Sequence, residues 1–211
     1  MGKSTKDSPD SASETVDPPA SGRGSRRDHI VALAAQLFAE KGVASTTVRD
    51  IGSAAGILSG SLYYHFDSKE SIVKEILRDY LSRIIESYEV VTAENDDPRS
   101  CLEGLIRVSL EAIERERHAC EIYHNDYTTL HALQDFPELD VLTTRVQKVW
   151  MDTIDRGVES GAFRDDIDPK VFYRLTRDAT WLTVRWNRPQ FDAASHSRTI
   201  AAIMLDGFGA A

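Results

Sequence analysis

An all-α fold of about nine helices is what this 211-residue sequence predicts, and three observations predict it. Apolar residues recur at three- and four-residue spacing from Ile30 almost to the end. No stretch alternates polar and apolar residues well enough to read as a strand, and no internal repeat is present. Proline and glycine breakers divide the periodic pattern into pieces of helical length.

Each element follows in order. Residues 1–22, rich in Ser, Asp and Pro and without an aromatic residue, bury too little area to offset the entropy of ordering and are expected to be a disordered tail. Arg23, Arg26 and Arg27 come next. Ile30, Leu33, Ala34, Leu37 and Phe38 then mark an amphipathic helix that Gly42 stops. Thr46 or Thr47 can cap a short second helix carrying Val48 and Ile51, which Gly56 ends. A third short helix is expected near 59–65. A long fourth helix starts at Asp67 or Ser68, with Glu70 placed for a capping box if Asp67 is the cap. Its apolar pairs run from 72/73 to 84/85, followed by Tyr88. Helical segments near 98–116, 118–133, 137–160, 169–187 and 193–208 follow, bounded by Pro98, Pro137, Gly161, Pro169 and Pro189.

Composition excludes several classes of function. No apolar run approaches the roughly 18–20 residues that span a bilayer, and no apolar leader is read, so a cytoplasmic protein without a membrane partner is expected. Lys6 stands where a myristoylation signal needs Ser or Thr. Two cysteines are too few for a disulfide framework. His118, Cys120 and His124 lie close in sequence, but their spacing fits one helical face poorly, so no metal and no cofactor are expected. A helical enzyme built on those three residues and Asp126 would lack a paired nucleophile and base, so no catalytic residue is assigned. The net charge of −9 divides into −2 over 1–22, +2 over 23–74 and −9 over 75–211. That asymmetry points to two modules with different partners.

The basic module carries the clearest pattern. Small residues Ala54, Ala55 and Gly56 let two short helices approach, and Ile51, Ile57 and Leu62 supply a miniature core. This is the outline of a helix-turn-helix, leaving Ser59, Ser61, Tyr63, Tyr64 and His65 free on the outer face. The segment "TTVRDIGSAAGILSGSLYYHFDSKESI" resembles the DNA-binding domain of the TetR family of bacterial repressors, matching its pattern at Thr47, Ile51, Ala55, Gly56, Gly60, Leu62, Tyr63, His65, Phe66, Ser68, Lys69 and Glu70. It departs at Leu58, where the family usually has Ser, and Ser59 is expected to take over the cap. The resemblance implies phosphate contacts from Thr47, Tyr63, His65 and Lys69, and base or groove contacts from Arg49, Ser59, Gly60, Ser61 and Tyr64. Arg23, Arg26 and Arg27 then read either as a basic arm following the duplex into the minor groove or as charge that keeps the tail soluble. It also implies a helix-turn-helix domain over 23–70 and a ligand-binding and dimerisation domain over 71–211. Such a protein would be a homodimer on a palindromic double-stranded DNA operator, released by a small-molecule effector.

The second module is most informative at "RLTRDATWLTVRWNRP", residues 174–189. Arg177, Trp181, Val184 and Arg188 recur at 4, 3, 4 spacing, so one helical face carries two arginines around an indole. An anion behind an acyl group would satisfy them, and so would internal salt bridges. "GILSGSLY" with "RDATWLTVRW" resembles the TetR-type repressors of cholesterol-ring catabolism in actinobacteria, in particular the branch governing the late C/D-ring genes. That resemblance implies an acyl-CoA thioester of an indanedione propanoate as effector. It implies Arg177 and Trp181 as ligand residues, with Arg188, Trp150, Tyr123, Tyr127 and Phe172 as further candidates, of which Trp150 and Phe172 read as core ahead of ligand wall. A different hydrophobic ligand, such as a drug or free fatty acid, is the alternative. The last two helices are expected to form the dimer face, with Ile200, Ile203, Met204 and Phe208 as its apolar stripe, or else as intrachain core.

Overall fold

The computed structural model describes residues 26–132, 136–185 and 192–208, with side chains over 26–125, 136–185 and 192–207. The described residues form nine α-helices and no strand. They are α1 (Arg26–Lys41), α2 (Val48–Ala55), α3 (Ser59–Leu62), α4 (Lys69–Glu94), α5 (Pro98–Arg115), α6 (Arg117–Ala132), α7 (Pro137–Glu159), α8 (Pro169–Leu182) and α9 (Ala193–Phe208). The tail expected over 1–22, and Arg23, lie outside the described residues.

Local chemistry sets most of the boundaries. Thr47 caps α2 in a capping box, its hydroxyl accepting from the Asp50 N–H at 3.1 Å while Asp50 accepts from the Thr47 N–H at 2.9 Å. Gly56 closes α2 in the left-handed region (φ 65°), where a side chain would strain the backbone. Ser68 caps α4 with Ser71 as its reciprocal partner, correcting the expected Asp67–Glu70 box. Asp97 and Asp168 cap α5 and α8, each followed by proline at the first helical turn, where its missing N–H costs nothing. Two expectations are corrected at helix ends. The third helix ends at Leu62, and the 63–65 stretch is a turn. The α8 helix stops at Leu182 and tightens into a 3₁₀ turn over Thr183–Arg185, because the Thr183 hydroxyl bonds the Thr180 carbonyl at 2.7 Å.

Helices α1–α3 make a small head whose core is Ile30, Ala34, Phe38, Ile51, Ala55 and Leu62. α4 packs on α1 and also on α5, α6 and α7, so its first turn crosses the expected boundary at residue 70 and joins head to body. At 26 residues it is about 39 Å long at 1.5 Å per residue. In the body α9 lies on α5, and α8 packs against α5, α7 and α9. Gly157 in α7 lies against the Phe163 ring, where an added Cβ would come within 1.9 Å, so the "GVESGAF" link depends on that glycine.

The expected stripe on α9 divides. Ile200, Ala201 and Leu205 are buried within the chain, Met204 packs partly against the core, and Ile203 is 67% exposed. The Phe208 side chain lies outside the described residues.

Candidate nucleic-acid interface and ligand pocket

The head presents one uncovered surface built on α3 and the turn after it. Leu62 and Phe66 point inward and are buried, which turns the intervening Tyr63 and Tyr64 outward. Tyr64 is 90% exposed, Tyr63 is 57% exposed, and Gly60 is open beside them. Arg49 and Thr47 are exposed at the start of α2, while Ser59, Ser61 and His65 are half-buried. These expected DNA-facing residues are therefore exposed or half-buried on the head.

Three cations near that surface have protein partners. The Lys69 ammonium donates to the carbonyls of Val43 (2.7 Å), Thr46 (3.0 Å) and Ala44 (3.3 Å), holding the α1–α2 loop against α4. Arg26 donates to the Ala55 carbonyl at 2.8 Å, and Arg27 pairs with Glu75 and lies 4.4 Å from the Phe66 ring centre. The basic-arm reading of Arg26 and Arg27 is corrected, since both belong to α1 and brace the head. Leu58, not Ser59, holds the cap position of α3, with extended backbone (φ −65°, ψ 143°) and no side-chain hydrogen bond.

In the body, two helices converge on Trp181 of α8. Its ring centre lies 6.2 Å from Tyr80 of α4, and 6.4 Å and 4.6 Å from Tyr123 and His124 of α6. Burial, with help from the Arg177 charge, drives the His124 pKa down to about 4, so its imidazole is neutral. The Tyr80 hydroxyl is buried beside the Cys120 thiol, and burial raises its pKa well above the ordinary value. A pocket of about 200 Å³ opens beside the cluster, lined by His124, Asp178, Trp181, Leu182, Val184 and Arg185. Arg177 stands half-buried next to it, donating to Asp178 at 2.7 and 2.8 Å with its guanidinium 5.6 Å from the Tyr173 ring. Arg185 donates to Asn125 at 2.9 Å.

The other expected ligand residues fall elsewhere. Trp150 is buried between Tyr88 and Tyr173, each 6.0 Å away, and Phe172 is buried too, so both stand on the core side of their two readings. Tyr127 and Arg188 lie outside the described side chains. Burial pushes the Cys120 thiol up to about 12, which leaves no thiolate for catalysis, and no metal-binding cluster occurs among the described residues. Sequence reasoning missed Tyr80 and Arg185 and gave His124 the wrong context. Nothing in their spacing announces them, because the cluster is assembled from helices distant in sequence.

A helix-turn-helix head on a helical body is the architecture of a DNA-binding transcriptional regulator. The chain belongs to the TetR family of bacterial regulatory proteins: its residues 30–76 match that family's DNA-binding domain, and residues 95–208 match the tetracycline repressor-like C-terminal domain. It is similar to the transcriptional repressor KstR2 of Rhodococcus jostii, 44% identical over 195 residues, which is 90% of this chain and 96% of that one. KstR2 of Mycobacterium tuberculosis is 40% identical over 87% of this chain and 92% of its own. The solved structure of the ketosteroid transcriptional regulator KstR2 of M. tuberculosis superposes with a TM-score of 0.83 at 39% identity, covering 90% of this chain and 98% of that one. No helix among the described residues is long and apolar enough to cross a membrane.

Proposed function

We propose that this TetR-family transcriptional repressor binds a palindromic operator as a homodimer and is released by an acyl-CoA thioester derived from the C and D rings of cholesterol, so that it controls steroid-catabolism genes. The observation that carries this reading is Trp181, an indole walled by Tyr80, Tyr123 and His124 with the guanidinium groups of Arg177 and Arg185 beside it. Aromatic walls suit a fused-ring acyl group, and guanidinium suits the phosphates of coenzyme A. At about 200 Å³ the pocket is smaller than the roughly 300–1,000 Å³ of ligand sites, and Leu182 on its wall is 53% exposed. A second copy laid against α8 would complete it. The M. tuberculosis relative described as a ketosteroid transcriptional regulator supports a steroid-derived effector.

A second reading keeps the repressor but replaces the effector with a free hydrophobic acid or drug. It is favoured by Arg177, whose Nε and Nη2 are both spent on Asp178. One titration separates the two. The protein bound to its operator is exposed to coenzyme A, the free indanedione propanoic acid and its CoA thioester. Release by the thioester alone, lost in Arg177→Ala and Trp181→Ala, is the expected result. Release by the free acid at equal concentration overturns the CoA reading, and release by none of the three overturns both the effector class and the site.

A further inference from the structure

Leu58 is 81% exposed at the cap of α3, a position where Ser, Thr, Asp or Asn would hydrogen-bond the first turn, and its side chain bonds nothing. A single exposed leucine is ordinary on a protein surface. This one replaces a stabilising cap with an apolar group on the face that holds Tyr63, Tyr64 and Gly60. Gly60 gives a second, independent sign of what that face meets. Its φ is not positive, and a Cβ built there would touch nothing within 4 Å, so neither backbone strain nor packing within the chain calls for glycine. Alanine would make the better helix. What a bare Cα offers is close approach by something outside the chain. The helix that follows Leu58 is the reading helix of a family whose partner is DNA, and the apolar feature that DNA offers in the major groove is the thymine 5-methyl group.

We infer that Leu58 is a specificity-determining residue that packs on the 5-methyl group of one thymine in each operator half-site, with Gly60 admitting the DNA to that distance. The inference rests on operator binding, and the test keeps the two apart. Random duplexes are selected on the full-length protein to obtain an operator, and every thymine is then replaced singly by deoxyuracil, which lacks only the methyl group. One thymine per half-site is expected to be sensitive, at about four-fold, the factor carried by one methyl group buried from water. Leu58→Ala should abolish that sensitivity. Leu58→Ser, which supplies the missing cap and so does not weaken the fold, should abolish it too. Sensitivity that persists in both variants, or no sensitive thymine in the wild-type operator, overturns the inference. Failure to select any duplex overturns operator binding itself, and the inference with it.

Discussion

Protonating His124 places a charge against the Trp181 ring, where the Arg177 and Arg185 guanidiniums oppose it and Asp178 favours it. Burial is the larger cause, and together they hold the folded pKa near 4 against an ordinary 6.5. The sign follows from proton counting. Between pH 6.5 and 4 the unfolded chain binds a proton that the folded chain refuses, so stability is full above 6.5 and falls as pH drops through that window. At pH 5 the loss is about 2 kcal/mol, at roughly 1.4 kcal/mol per pKa unit. Chemical denaturation at pH 7 and pH 5 should show that loss, and His124→Phe, which keeps the ring against Trp181, should remove it. An unchanged pH slope in the variant would place the titration elsewhere. No such role could be read from the sequence, where His124 stood as a poor metal ligand or enzyme residue beside His118 and Cys120.

Lys69 shows how elements hold one another. It starts α4, yet its ammonium closes on three carbonyls of the α1–α2 loop, fixing the angle at which α2 and α3 leave α1. Hydrogen bonds to a charged donor contribute about 1.5–3 kcal/mol each when shielded, and less in this partly exposed position. Lys69→Met should therefore destabilise the protein by about 2 kcal/mol in thermal unfolding and leave the salt dependence of DNA binding unchanged. A salt slope lower by about one with an unchanged melting temperature would assign Lys69 to a phosphate instead. The helices themselves were legible because their punctuation is local: Thr47, Gly56, Asp97 with Pro98, and Asp168 with Pro169 carry caps and stops within a few residues of each boundary. The Lys69 bonds span 23–26 residues, and Arg27 reaches Glu75 across 48, and neither pairing leaves any periodic mark. The 3₁₀ turn after Leu182 was equally hidden, because a threonine reads the same whether its hydroxyl faces solvent or bonds a carbonyl three residues back.

Among the described residues several large apolar side chains of the last two helices stay exposed. Val171, Leu175 and Leu182 lie outward on α8 at 49%, 60% and 53% exposure, and Ile203 lies outward on the neighbouring α9 at 67%. Four large aliphatic side chains on two packed helices are a costly surface for a lone molecule, and the symmetric arrangement that covers such a face is the same face of a second copy. This division was only half visible in the sequence. Ile200 and Ile203 belong to one apolar pattern, but the chain's own α5 claims Ile200 and leaves Ile203 outside, a choice made by where α5 lies. The pocket beside Trp181 opens along α8 at Leu182, so dimerisation, effector binding and the separation of two DNA-reading heads would share one surface. Leu175→Glu with Ile203→Glu should yield a monomer in sedimentation equilibrium. Neither change removes a buried contact, so the helical content and the melting of a single subunit should persist. Operator affinity should then fall by 10²-fold or more, on the order of what losing one of two linked half-site contacts takes away. A dimer that survived the double substitution would move the interface off α8 and α9, and a monomer that kept full operator affinity would show that one head suffices.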